Sequence, residues 1–149
     1  MPTKPSDQSS RFRTTRAAHR DETAEDYVEA VMQLQAEKGH ARVKDLATLM
    51  GVSHVTVTRI IKRLSDPRVG LVVAHPYQPV ELTPAGKRLA SWIRKRHEIV
   101  LEFLVAIGVP SRQAEIDAEG IEHHVSDATI RAMQRASKEH TQPGEPGYA

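Results

Sequence analysis

The sequence predicts a mainly α-helical chain built around a winged helix-turn-helix, and three observations carry that expectation. Residues 43–64, VKDLATLMGVSHVTVTRIIKRL, keep the spacing of two short helices around a tight turn. Residues 70–82 then change texture, with two β-prone stretches flanking a Pro-containing turn, which reads as a hairpin. On either side, apolar residues recur with helical periodicity.

Taken in order, residues 1–20 mix Pro, Ser, Thr and Arg with almost nothing apolar, the composition of a disordered basic arm. Tyr27, Val28, Val31, Met32 and Leu34 mark a first amphipathic helix that ends at Gly39. A second runs over 42–50 and is closed by Gly51. Ser53, a good N-cap, opens a third that reaches about Leu64. Thr83 caps a long helix with Pro84 in its first turn, stopped near Ile107 by Gly108 and Pro110. Ser111 is expected to cap a helix to about His124, and Ser126 one to about Lys138. The tail 141–149 reads as unstructured. The expected division is therefore an arm at 1–20, a DNA-binding head at 21–83, a helical domain at 84–140 and a tail at 141–149.

Composition narrows the chemistry. With 39% hydrophobic residues and 4% aromatic, a core is possible but leaves nothing for the two tails. The absence of cysteine excludes disulfides, thiolate zinc sites and iron–sulfur clusters. No apolar run approaches the roughly 20 residues of a membrane span, and the N-terminus lacks a signal-peptide core. A cytoplasmic protein is expected. The net charge of +2 says little, but its distribution says more. Residues 42–68 hold six basic and two acidic residues, and 83–97 hold five basic and none acidic. Residues 21–37 carry six acids without Lys or Arg, and 98–130 carry seven acids against Arg112 alone. Such segregation suggests one surface for polyanions and another for cations.

Within 43–64, Ala47 is small where two helices must approach, and Gly51 permits the turn that a Cβ would strain. Val57, Ile60, Ile61 and Leu64 fall at i, i+3, i+4 and i+7, one buried stripe. Ser53, Val55, Thr56, Thr58, Arg59, Lys62 and Arg63 remain to face DNA. Arg59 can donate two hydrogen bonds to guanine and Val55 can pack on a thymine methyl. Thr56, Thr58, Lys62 and Arg63 suit phosphate contacts, and Ser53 sits at the end that enters the major groove.

The run Glu119-Gly-Ile-Glu122-His123-His124 is the most unusual in the chain. On a helix, Glu119, Glu122 and His123 share one face, where two carboxylates and an imidazole waste desolvation unless a cation joins them. A solvated helix face is the alternative reading of the run taken alone. Asp26 and Glu29 form a second i, i+3 pair, and His97 lies on the long helix. Oxygen-rich ligation with a few imidazoles and no sulfur suits Mn²⁺, and Fe²⁺ less well.

From Asp26 to about Lys138 the chain resembles the manganese transport regulators, a branch of the diphtheria toxin repressor family. The residues that carry the resemblance are Glu25-Asp-Tyr-Val-Glu29, the helix-turn-helix, Arg96-His-Glu98 and Asp117-Ala-Glu-Gly-Ile-Glu-His-His124. It implies that Asp26, Glu29, His97, Glu119, Glu122 and His123 ligate metal, in a site able to hold two Mn²⁺ ions per subunit. It also implies a helical metal-binding and dimerisation domain behind the winged head, and a homodimer with one head per half-site. Iron-responsive members place sulfur-containing residues where Asp26 and Glu122 stand here, which favours manganese, and carry a further β-barrel domain for which 149 residues leave no room.

The function expected is a manganese-activated repressor on a palindromic DNA operator, controlling manganese uptake genes, with no membrane or small organic substrate as partner. Metal at Asp26 and Glu29 is expected to lock the first helix against the later ones. An iron-responsive repressor of the same family and a winged-helix repressor sensing a small organic ligand are the alternatives. Catalysis is not expected: no phosphate-binding glycine loop, nucleophile–base pair or HExxH motif is present. A metal-dependent hydrolase on the same carboxylates would have to act independently of the helix-turn-helix.

Overall fold

The computed structural model describes residues 5–141, with side-chain surroundings over 19–140. Residues 1–4 of the arm and 142–149 of the tail lie outside the described part. The elements follow as α1 (Pro5–Lys38), α2 (Val43–Met50), α3 (His54–Ser65), β1 (Val72–Val73), β2 (Glu81–Leu82), α4 (Pro84–Ala106), α5 (Ser111–Ile121), a 3₁₀ turn (Glu122–His124) and α6 (Asp127–Thr141). They form two compact units, Met1–Ser91 and Trp92–Ala149.

In the first unit, α1 buries Tyr27, Val28, Val31 and Leu34, the row expected from its periodicity. Its beginning differs from that expectation. The helix reaches back to Pro5, so residues 5–20, read above as unstructured, are helical. No Gly or Pro interrupts 6–38, and a helix already nucleated on the core can propagate through such a stretch at little cost per residue.

The α2–α3 pair has the geometry its spacing predicts. Gly51 adopts a left-handed conformation at φ 66°, and the Val52 amide donates to the Ala47 carbonyl, which turns the chain sharply. Ala47 is buried between the helices, and Val57, Ile61 and Leu64 carry α3 into the core with Ile60 partly buried beside them. The Ser53 hydroxyl accepts the Thr56 amide at 3.1 Å and so caps α3.

β1 and β2 pair antiparallel, Val72 opposite Leu82 and Val73 opposite Glu81. A bridge between Ala41 and Val80 ties the second wing strand to the chain just before α2. Thr83 links wing to helix: its hydroxyl donates to the Gly70 carbonyl at 2.6 Å and accepts the Gly86 amide at 3.1 Å. The first turns of α4 belong to the head, since Ala90 and Leu89 join its core, although the domain boundary expected from the sequence stands at 83/84. The approach is closest at Gly86, where a Cβ would collide with the Leu71 carbonyl oxygen. Gly86→Ala should therefore cost about 1–3 kcal/mol or more, by overpacking against backbone. Urea denaturation checks this, and an unchanged midpoint would show that helix and wing separate freely.

In the second unit, α4 contributes Ile99, Val100 and Leu104, α5 Ala114 and Ala118, and α6 Ile130 to one small core. Gly108, at φ 103°, ends the run of α4. Two details depart from the sequence reading. Pro110, not Ser111, occupies the N-cap of α5, and α5 stops at Ile121 rather than near His124. Ser126 does cap α6, accepting the Thr129 amide at 3.3 Å.

Candidate nucleic-acid interface and metal centre

The residues expected to face DNA lie on α3 or at its cap, and the head divides them into two flanks. Thr58 and Lys62 line a groove of about 660 Å³ whose other walls include Arg42, Lys44 and His54 and, from the wing, His75, Tyr77 and Gln78. Arg59 and Arg63 line a smaller cleft with Thr23 of α1. Val55, 80% exposed, projects near the N-terminus of α3, where a recognition helix meets base edges. The Ser53 and Thr56 hydroxyls are 3.0 Å apart, so both are engaged in closing the helix end. Burial pushes the Tyr27 hydroxyl above its ordinary 10.0, and the nearby Arg59 guanidinium partly offsets the shift.

The sequence reading did not assign the wing a contact. Tyr77 stands fully exposed at its tip with φ 62°, a conformation uncommon for a side-chain-bearing residue. The Arg42 guanidinium donates to the Tyr77 carbonyl at 3.5 Å. Arg42, Lys44, His54 and His75 thus add basic or titratable groups to the groove beside Thr58 and Lys62. Arg42 and Lys44 already stood in the basic run 42–68; the Pro-Tyr-Gln-Pro turn carried no comparable signal.

In the second unit the structure brings His97, Glu119, Glu122 and His123 together. Of the last three, Glu119 and Glu122 lie on one face, both turned to His97 Nδ1. At Ile121 the α-helix gives way to the 3₁₀ turn, and the chain leaves the helical region at Val125. Gly120, a poor helix former, stands just before the change. The Glu119 side chain remains largely exposed, while that of Glu122, one turn on and packed against His97, is 1% exposed.

Each Glu122 oxygen faces an imidazole. Oε2 is 2.9 Å from His97 Nδ1, and Oε1 is 3.5 Å from His123 Nε2. Buried Arg96 completes the set, its Nη2 3.3 Å from His123 Nδ1. A guanidinium only donates, so Nδ1 accepts and a neutral His123 ring carries its proton on Nε2, towards Glu122. Glu119 lies 3.8 Å from His97 Nδ1, and Glu115, absent from the sequence-based set, 3.7 Å from His97 Nε2. Burial pushes the Glu122 carboxyl above its ordinary 4.5, with the His97 and His123 imidazoles pulling it back. A deeply buried carboxylate beside two imidazoles and two further carboxylates is a donor set that suits a divalent cation and contains no sulfur. As placed, His97 and Glu122 hydrogen-bond to each other, and among the described residues no three His, Asp or Glu donors are already gathered around one point. Asp26 and Glu29 lie on α1 in the first unit, both engaged in polar interactions.

Two family models cover nearly all of this framework. Residues 21–80 match the N-terminal DNA-binding domain of the iron-dependent repressors, and residues 83–142 their metal-binding and dimerisation domain. The chain belongs to the iron-dependent repressor family. This repressor is 44% identical over 129 residues to the transcriptional regulator MntR of Salmonella typhimurium, covering 87% of this chain and 81% of that one. It is 39% identical over 102 residues to the HTH-type transcriptional regulator MntR of Lysinibacillus sphaericus, covering 68% and 72%. Among solved structures, a manganese-dependent transcriptional repressor in complex with manganese matches 77% of the chain at 31% identity with a TM-score of 0.65. The manganese regulator SloR matches 75% at 26% identity with a TM-score of 0.62. The repressor aligns to about half the length of those two solved chains, 52% in each case. It thus has an N-terminal DNA-binding domain and a C-terminal metal-binding and dimerisation domain. Among the described residues no helix is long and apolar enough to cross a membrane.

Proposed function

We propose that this repressor is manganese-responsive and binds a palindromic DNA operator as a metal-activated homodimer, with manganese uptake genes as its targets. The observation that carries the reading is Glu122: a carboxylate buried to 1% exposure, with one imidazole on each oxygen, inside the metal-binding domain of the family. His97, Glu119, Glu122 and His123 would hold the ion, together with Asp26 and Glu29 from α1, and two ions per subunit fit so many donors. A bound divalent cation would supply the positive charge that offsets these carboxylates. The relatives named MntR and the manganese-dependent repressor matched in structure support manganese over iron.

The chain's own residues supply the rest. Arg96 and Glu122 orient the two imidazoles, and Val55 and Arg59 present base-reading groups while Thr58, Lys62 and Arg63 hold phosphates. Control is a shift of population: metal binds the DNA-competent dimer more tightly than other arrangements, and by linkage operator DNA raises metal affinity by the same factor.

The test is operator binding by the full chain across a panel of divalent ions. Mn²⁺ should activate fully and Fe²⁺ less, whereas Zn²⁺, though bound tightly, should leave a lower maximum because its preferred geometry differs. Equal activation by Zn²⁺ and Mn²⁺ at saturation would sink the geometric part of this mechanism. Operator binding indifferent to every metal would favour a repressor sensing a small organic ligand.

A further inference from the structure

The basic arm finds no role in the reading above, on which the following inference rests. Residues 1–20 hold Lys4, Arg11, Arg13, Arg16 and Arg20 against one acid, Asp7. They are not an appendage separate from the fold, because α1 runs unbroken from Pro5 into the head. Arg13 and Arg20 stand at i and i+7 on the helical row continued by Tyr27 and Leu34, which are 2% and 3% exposed. Arg16, at i+3 from Arg13, falls beside that row. In sequence, the row thus changes from apolar to basic towards the N-terminus of α1.

At Arg20 and Thr23, α1 lies beside the recognition helix. Arg63 Nη2 of α3 donates to the Arg20 carbonyl oxygen at 3.4 Å, and Thr23 shares a cleft with Arg59 and Arg63. His19 and Arg20 are exposed there. The basic row therefore starts from the flank of α3 that carries two arginines of the DNA-facing set. At about 1.5 Å per residue, residues 5–20 of the helix reach about 24 Å. Duplex DNA carries one charge per roughly 1.7 Å of axis, so that length passes several phosphates.

We propose that the N-terminal part of α1 is a second DNA-contacting element, laying Arg13, Arg16 and Arg20 along the phosphate backbone of the duplex that flanks each half-site. It widens the footprint and adds affinity without adding sequence preference, because phosphates carry no sequence information.

The test compares the full chain with R13Q/R16Q/R20Q, glutamine being a helix former of similar propensity. Both are titrated with salt at saturating Mn²⁺ on two duplexes, one ending at the edge of the operator and one extended by about one helical turn, 10 base pairs, on each side. Wild type should bind the extended duplex more tightly and with a steeper salt dependence than the short one. The variant should lose that gain, its slope on the extended duplex falling by about 0.9 for each phosphate no longer neutralised, and should match wild type on the short duplex. A variant that tracks wild type on the extended duplex at every salt concentration overturns the proposal. So does one that weakens equally on both duplexes, since the arginines would then act inside the half-site or on the fold. If wild type binds the operator with Mn²⁺ but gains nothing from the flanks, only this inference fails. If it shows no metal-dependent binding to either duplex, the repressor reading fails as well.

Discussion

Glu122→Gln should lose at least about 100-fold in Mn²⁺ affinity and with it metal-dependent operator binding, while the fold without metal stays intact. The size follows from position: replacing groups that merely orient a ligand typically costs about 10- to 100-fold, and Glu122 is proposed as a ligand itself. The fold should survive because glutamine keeps the volume and can still accept from His97 Nδ1, now at 2.9 Å from Glu122 Oε2, while the buried charge disappears. Isothermal titration with Mn²⁺, thermal melting of the metal-free protein and operator binding together check it. A variant with unchanged manganese dependence would refute the assignment of this carboxylate; one that melts much earlier without metal would make Glu122 a structural residue instead.

Arg59→Ala and Lys62→Ala should separate base reading from anchoring. They sit on opposite flanks of the exposed face of α3, Arg59 in the cleft with Thr23 and Lys62 in the groove beside the wing. Arg59→Ala should cost about 1–3 kcal/mol on the operator and relax preference at one base pair per half-site. Lys62→Ala should weaken operator and random DNA alike and lower the salt slope by about one for each phosphate that Lys62 neutralises. Both are read by salt titration on the two DNAs at saturating Mn²⁺. If Arg59→Ala loses equally on both, Arg59 is an anchor, and sequence reading passes to Val55 or the exposed wing residues His75, Tyr77 and Gln78.

Much of the head was legible because its signals are local. The small Ala47, the left-handed Gly51 and the stripe Val57, Ile61 and Leu64 each follow from spacing and backbone sterics within a few residues, and each is found where those constraints put it. The capping hydroxyls of Ser53, Thr83 and Ser126 are legible for the same reason. The wing was visible as a hairpin, but not the contact at its tip, where Arg42 meets the Tyr77 carbonyl across 35 positions of sequence.

By itself the sequence determined the donor chemistry, carboxylates and imidazoles without sulfur, and the helix-turn-helix that such a centre would govern. Only the tertiary structure decided which donor is buried. Spacing placed Glu119 and Glu122 on one face as equals; the packing of that face leaves Glu119 largely exposed and buries Glu122 against His97, from another helix. It also decided that the first turns of α4 serve the head, through the backbone approach at Gly86, and that α1 extends to Pro5. Helical periodicity reports which residues share a face, but burial is set by what packs against that face, and those partners lie far away in the chain.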